Sequence, residues 1–174
     1  MKLVEALKLK KELQVKAQDL RQKIQQNCAH LSIETPMYGT EEQQREKVRV
    51  WQQAHADIVK EIRNLSLAIA KTNLEVKVKM PLGGTDVELS IAEWILRRRE
   101  LANMELAAWQ ALSDRGLKDS VMKKSDGTPQ DVKVVRYYSP NERDEKVELF
   151  KHEPGMIDRK LEVVNASTDL IGMN

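Results

Sequence analysis

The stretch VRVWQQAHADIVKEIRNLSLAI, from Val48 to Ile69, decides how this chain is built. Val48, Trp51, His55, Ile58, Ile62, Leu65 and Ile69 follow one another at alternating steps of three and four. An α-helix returns residues at that spacing to one face, so the seven side chains form a single seam that requires a partner helix. Such a seam packs helices or assembles subunits and performs no chemistry. Its polar member, His55, stands where a nonpolar residue is expected. Imidazole changes charge near neutrality, so a ligand or pH-sensitive role is conceivable. A satisfied interface histidine that sets helix register is the favoured reading.

Upstream of the seam, Thr40 and Gln43 have the spacing of a capping box, which predicts a helix from Glu41 to about Lys71. Pro36 and Gly39 separate it from a first helix expected over Lys2 to about Ala29. Leu13, Ala17, Leu20, Ile24 and Cys28 or Leu31 give that helix its own seam, extended toward the start by Leu3 and Leu7. Glu12 with Lys16 and Asp19 with Lys23 are acid-before-base pairs at helical spacing, each stabilising by about 0.2–0.5 kcal/mol. Acids interleaved with the lysines favour a solvated face over a nucleic-acid surface. Two long helices joined by a loop of about ten residues predict an antiparallel hairpin over residues 1–73. Its seams face each other or face copies of themselves, and the spacing leaves both open.

Beyond Asn73, expected to end the second helix, the period changes to two. Leu74, Val76, Val78 and Met80 alternate with Glu75, Lys77 and Lys79, the pattern of a half-buried strand. Pro81-Leu82-Gly83-Gly84 can turn the chain, with Thr85 to Leu89 returning, so a β-hairpin is expected over 74–90. Ser90 and Glu93 then open a helix over 91–116, with Ile91, Trp94, Ile95, Leu101, Met104, Ala108 and Leu112 as its apolar positions. Residues 117–174 read as a loop with a turn at Asp126-Gly127-Thr128-Pro129, a strand over Val132 to Tyr138 and a last helical region. Ser139, Pro140 and Glu142 begin that region, and Pro154-Gly155 interrupts or kinks it. The expected architecture is α+β, mostly α, in a single domain over 1–174: a long antiparallel helical hairpin, a small antiparallel β element and additional helices.

Composition agrees with this. Of 174 residues, 41% are hydrophobic and 32% charged, with one Phe, three Tyr and three Trp, a mixture suited to long exposed helices. The net charge of +2 gives no global pull toward nucleic acid or anionic membrane. A single cysteine, Cys28, excludes an internal disulfide framework. The charged start Met1-Lys2-Leu3-Val4-Glu5 lacks the apolar stretch of a signal peptide, and no run of about 18 apolar residues occurs. A cytoplasmic protein with no membrane segment is expected.

No residue set has the spacing of a catalytic, cofactor or metal site. Cys28 and His30 lack further ligands, and His152-Glu153 lacks the second histidine of a helical metalloprotease motif. Thr72-Asn73 and the later group Asn165, Ser167, Thr168 and Asp169 are polar, but neither combines nucleophile, base and acid. Arg97-Arg98-Arg99 is the strongest charge cluster and the candidate anion-binding site. Successive helical residues point about 100° apart, so the three make a collar around the helix. Glu93, Glu100 and Glu105 offer local partners, and Trp94 is the sole nearby stacking platform.

Taken in order, Met1-Lys2-Leu3-Val4-Glu5-Ala6-Leu7, Ile69-Ala70-Lys71-Thr72-Asn73, the arginine-bearing helix from Ile91 to Leu112, and Ile157-Asp158 through Asn165-Ala166-Ser167-Thr168-Asp169-Leu170 resemble an uncharacterised bacterial and phage family. Some of its members are labelled septicolysin-like. The resemblance spans most of the chain, with a longer segment here around Ser113 to Gln130, and contains no catalytic motif. It implies a helical, oligomeric architecture and no established activity; the residues give the cytolysin label no support. Relatives in phage genomes imply a virion or assembly role.

The expectation is therefore a non-enzymatic, self-associating structural protein, a homo-oligomer with capsid or other virion proteins as further partners and no cofactor. The alternative is a nucleic-acid-binding regulator that uses Arg97, Arg98 and Arg99.

Overall fold

The computed structural model describes residues 1–172 and has an α+β fold, mostly α. The chain forms two compact units: Met1–Lys77 with the described residues from Glu162 onward, and Val78–Leu161.

In the first unit, α1 (Leu3–Asn27) packs along α2 (Glu41–Glu75) as a helical hairpin. The predicted capping box opens α2: Thr40 Oγ1 accepts from the Gln43 amide at 3.2 Å, and Gln43 Oε1 accepts from the Thr40 amide at 3.0 Å. Leu3, Ala6 and Leu13 of α1 and Leu65, Ala68, Ile69 and Thr72 of α2 are buried. The inner face of α1 continues through Ala17, Leu20 and Ile24, each half-buried. Expected members leave that face, Leu31 among them at 64% exposure. Ala6 takes the inward position next to Leu3, which turns Leu7 about 100° outward, and Cys28 lies exposed beyond the helix end.

α2 also runs past Asn73, because the amide of Val76 still bonds the Thr72 carbonyl at 3.0 Å. Leu74 is consequently an exposed helical residue and not the first residue of a strand. The base of the limb is closed by the chain ends. The Leu3 amide donates to the Thr168 carbonyl and the Leu170 amide to that of Met1, both at 2.9 Å.

In the second unit, β1 (Lys77–Leu82) pairs antiparallel with β2 (Thr85–Ser90). The two-residue connection has φ of +61° at Gly83 and +91° at Gly84, the sign a type I′ hairpin turn requires at both positions. Val78 and Met80 point inward and Lys77 and Lys79 outward, as the alternation predicts. The Ser90–Glu93 capping box opens α3 (Ile91–Leu96), which passes through a π-helical turn (Arg97–Leu101) into α4 (Ala102–Gln110). Trp94 is fully buried and its indole N–H donates to the Val78 carbonyl at 2.8 Å, tying α3 to β1.

β3 (Ser120–Lys123) and β4 (Pro129–Val132) form a separate antiparallel pair, with Ser120 opposite Val132 and Lys123 opposite Pro129. The strand expected over Val132 to Tyr138 is not formed, since β4 ends at Val132. The Val134 amide is taken by the Asp119 carboxylate at 2.8 Å and so does not serve a ladder, while Asp114 holds the side chains of Arg136 and Tyr138. α5 (Pro140–Ser167) runs unbroken through Pro154-Gly155. A proline inside a helix costs about 3 kcal/mol. Here the buried Phe150, Glu153, Ile157 and Leu161 fasten the helix on both sides of it.

Candidate functional site

The seam that dominates the sequence lies along one side of α2, and its burial is graded. Leu65 and Ile69 are buried, whereas Val48, Trp51, His55, Ile58 and Ile62 are half-buried. Cover over Trp51 is completed in part by Tyr38 of the connecting loop, whose ring meets the indole edge-on at 5.5 Å and 74°. His55 lines a shallow depression with Ala17, Gln18 and Arg21 of α1. With α1 as the one helix against it, the stretch of the seam from Val48 to Ile62 keeps partly wetted apolar contacts.

The arginine collar divides. Arg97 is 8% exposed and points inward from the π-helical turn. Its Nη2 donates to Glu153 Oε2 at 3.0 Å, with a second contact from Nε to Oε1. Its Nη1 and Nη2 donate to Glu105 at 2.7 and 3.1 Å. The guanidinium lies 5.7 Å from the centre of the Phe150 ring. Hydrogen bonds that Arg97 donates to Glu153 and then Glu105 hold it firmly protonated against the opposing effect of burial. The same bond from Arg97 pulls the Glu105 carboxyl below its usual range. Arg98 pairs with Asp158 of α5, and Arg99 is exposed. As a candidate anion site the triplet is thus corrected: Arg97 faces internal carboxylates and Arg98 is already paired, which leaves no three-guanidinium surface.

Glu105 was among the local acids the sequence offered to the triplet, whereas Glu153, 56 residues from Arg97, was not visible as a partner. A π-helical turn, which shifts the facing of everything after it, has no simple sequence signal. Nor was a second ionic centre. Asp114 accepts from Arg136 Nε at 2.7 Å and Nη2 at 2.6 Å, and from the Tyr138 hydroxyl at 2.9 Å. Arg136, then Tyr138, pull the Asp114 carboxyl down to about 2. Arg143 lies 5.8 Å from the Tyr138 ring centre and donates to the Leu112 carbonyl at 3.2 Å. Together these bonds fasten both ends of the segment that carries β3 and β4.

The two polar groups suspected near Thr72 and Asn165–Asp169 meet at the base of the limb, where their atoms hold structure. Thr72 Oγ1 donates to the Ala68 carbonyl at 2.8 Å and accepts from the Ile171 amide at 2.9 Å. Lys2 Nζ pairs with Asp169 at 2.9 Å, which draws the Asp169 carboxyl below its usual range. Among the described residues no group of His, Cys, Asp and Glu is placed to hold a metal ion, and no helix is long and apolar enough to cross a membrane.

A scan against protein-family models gives no match, and a search of curated proteins gives none. Among solved structures, the chain is similar to a functionally unknown conserved protein from Corynebacterium diphtheriae, with a TM-score of 0.57 and 18% identity over 98% of each chain. That likeness is one of fold.

Proposed function

We propose that this chain is a non-enzymatic structural protein that self-associates through the helical limb. The observation that carries the reading is the seam of α2, where Trp51, His55, Ile58 and Ile62 stay half-buried although α1 already lies along them. Apolar surface left in water at this density gains about 25 cal/mol for each Å² that a further helix covers. A second limb offers such a helix in the same register, which makes another copy of the chain the natural partner. Val48, also half-buried, extends this surface toward the connecting loop, while Leu65 and Ile69 are buried within the hairpin itself. The finer form of the proposal is a virion or capsid-decorating component, supported by the segments that resemble the bacterial and phage family. The arginine triplet lends little to a nucleic-acid reading, since Arg97 and Arg98 both face carboxylates of the chain itself.

The test is the combined substitution Trp51→Ala and Ile58→Ala. Reduced particle mass together with reduced stability is the expected result. A variant with the mass and unfolding midpoint of the unaltered chain contradicts the proposal.

A further inference from the structure

A second surface of the second unit has the features of a self-complementary contact. Along α5, Glu145, Leu149, His152, Met156 and Arg159 recur at steps of four, three, four and three, so they share one face. They form one wall of an open groove of about 460 Å³, and Pro81, Leu82 and Gly83 at the tip of the first β-hairpin form the other. From Glu145 to Arg159 the wall spans about 21 Å at the helical rise of 1.5 Å per residue. Leu149, at 37% exposure, and Met156, half-buried, flank His152 at the middle of this wall, with Glu148 beside it. Its ends are oppositely charged. Neither Glu145 nor Arg159 has an ion-pair partner among the described residues, whereas Arg97, Arg98 and Arg143 all do.

This arrangement is symmetric about His152. If two copies of α5 cross antiparallel with a two-fold axis at that residue, Glu145 of each copy faces Arg159 of the other. Leu149 and Met156 then close over each other, and the His152 side chains meet at the centre, each already 3.2 Å from its own Glu148. A two-fold interface requires this reciprocity, in which residue i meets j and j meets i. A parallel crossing would set like charges opposite each other at both ends. We propose that the α5 groove binds the α5 helix of a second copy of this chain, antiparallel, with two reciprocal Glu145–Arg159 ion pairs. The inference rests on the self-association proposed above and adds a contact separate from the limb seam.

Sedimentation equilibrium of the full chain tests it with Glu145→Arg, Arg159→Glu and the two combined. Each single reversal places like charges together twice per dimer and raises the dissociation constant of the dimer about tenfold or more. The combined reversal restores the pairs in swapped order and returns the constant to within about threefold of the original. Both substituted residues are exposed, and matching circular dichroism spectra establish that the fold is intact. Single reversals that leave the constant unchanged, or a combined reversal no better than the singles, overturn the α5 contact. Association that survives every α5 variant but is lost with Trp51→Ala and Ile58→Ala removes this inference and keeps the limb reading. Association that follows the α5 charges and ignores the limb variant does the reverse. A chain that stays monomeric throughout removes both.

Discussion

Arg97 on the π-helical turn and Glu153 on α5, 56 residues apart in sequence, form an ion pair in the interior of the second unit. Their side chains are 9% and 3% exposed. The widened turn lets Arg97 face α5 while the helix on either side keeps its regular bonding. Glu105, eight residues further on, then reaches the outer edge of the same guanidinium. Every donor on the inward side of Arg97 is met, and Phe150 covers its face.

Removing one partner leaves the other charged, buried and unpaired. Arg97→Ala should therefore cost about 3–5 kcal/mol, measured as the free energy of urea unfolding. Replacing both members with apolar residues, Arg97→Met with Glu153→Leu, should recover most of that loss, because buried pairs contribute little net stability over hydrophobic isosteres. Glu105 is 45% exposed and can be rehydrated, so Glu105→Gln should cost only about 1 kcal/mol. Equal losses for all three variants would contradict the assignment of Arg97 and Glu153 as the buried core of the network.

The Asp114 clasp is sensitive to acid. Its folded carboxyl titrates at about 2, below the ordinary 3.8, so the native state favours the ionised form. The contribution is thus full above about pH 4 and is lost as the pH falls toward 2. Carboxyl carbon shifts in an NMR titration should place Asp114 below the other exposed aspartates. Arg136→Met should raise that value more than Tyr138→Phe does, since the guanidinium is the larger cause. The reverse order would show that the hydroxyl dominates.

At the base of the limb, Thr72→Val keeps the shape of the side chain and removes its oxygen. The Ile171 amide then loses its acceptor, 99 residues away in sequence. The expected cost is about 1 kcal/mol, with faster hydrogen exchange at the Ile171 amide while amides in the middle of α2 are unaffected. Unchanged exchange at Ile171 would mean that Thr72 does not hold the chain end.

What was legible in the sequence depended on the range of the signal. The capping boxes at Thr40 and Ser90 and the glycine turn at Gly83-Gly84 are set by neighbours a few residues apart, and each stands where its local chemistry put it. The α2 stripe was equally plain, because helical spacing needs only the residues themselves. How deeply each member would be buried was not, since that depends on the width of α1 opposite. The errors have the same origin. Val132 to Tyr138 looks like a strand by composition, but Asp114 and Asp119 claim its polar groups from earlier in the chain. Pro154-Gly155 reads as an interruption or a kink; α5 is not interrupted there, and buried residues on both sides hold the helix through it. The arginines read as surface because charge normally is; only the carboxylates of Glu153 and Asp158, brought close by the fold, turn two of them inward and sideways.

The central claim, that the chain assembles with copies of itself, is tested most directly by its mass in solution. Light scattering across a wide range of protein concentration, at low and high salt, should give a closed multiple of the 20.0 kDa chain. Association through the limb, and with it a mass above one chain, should persist at high salt, because an apolar seam is not weakened by screening. A mass of one chain at every concentration and both salt levels would contradict the account, and would mean that the half-buried seam from Val48 to Ile62 is finished as it stands.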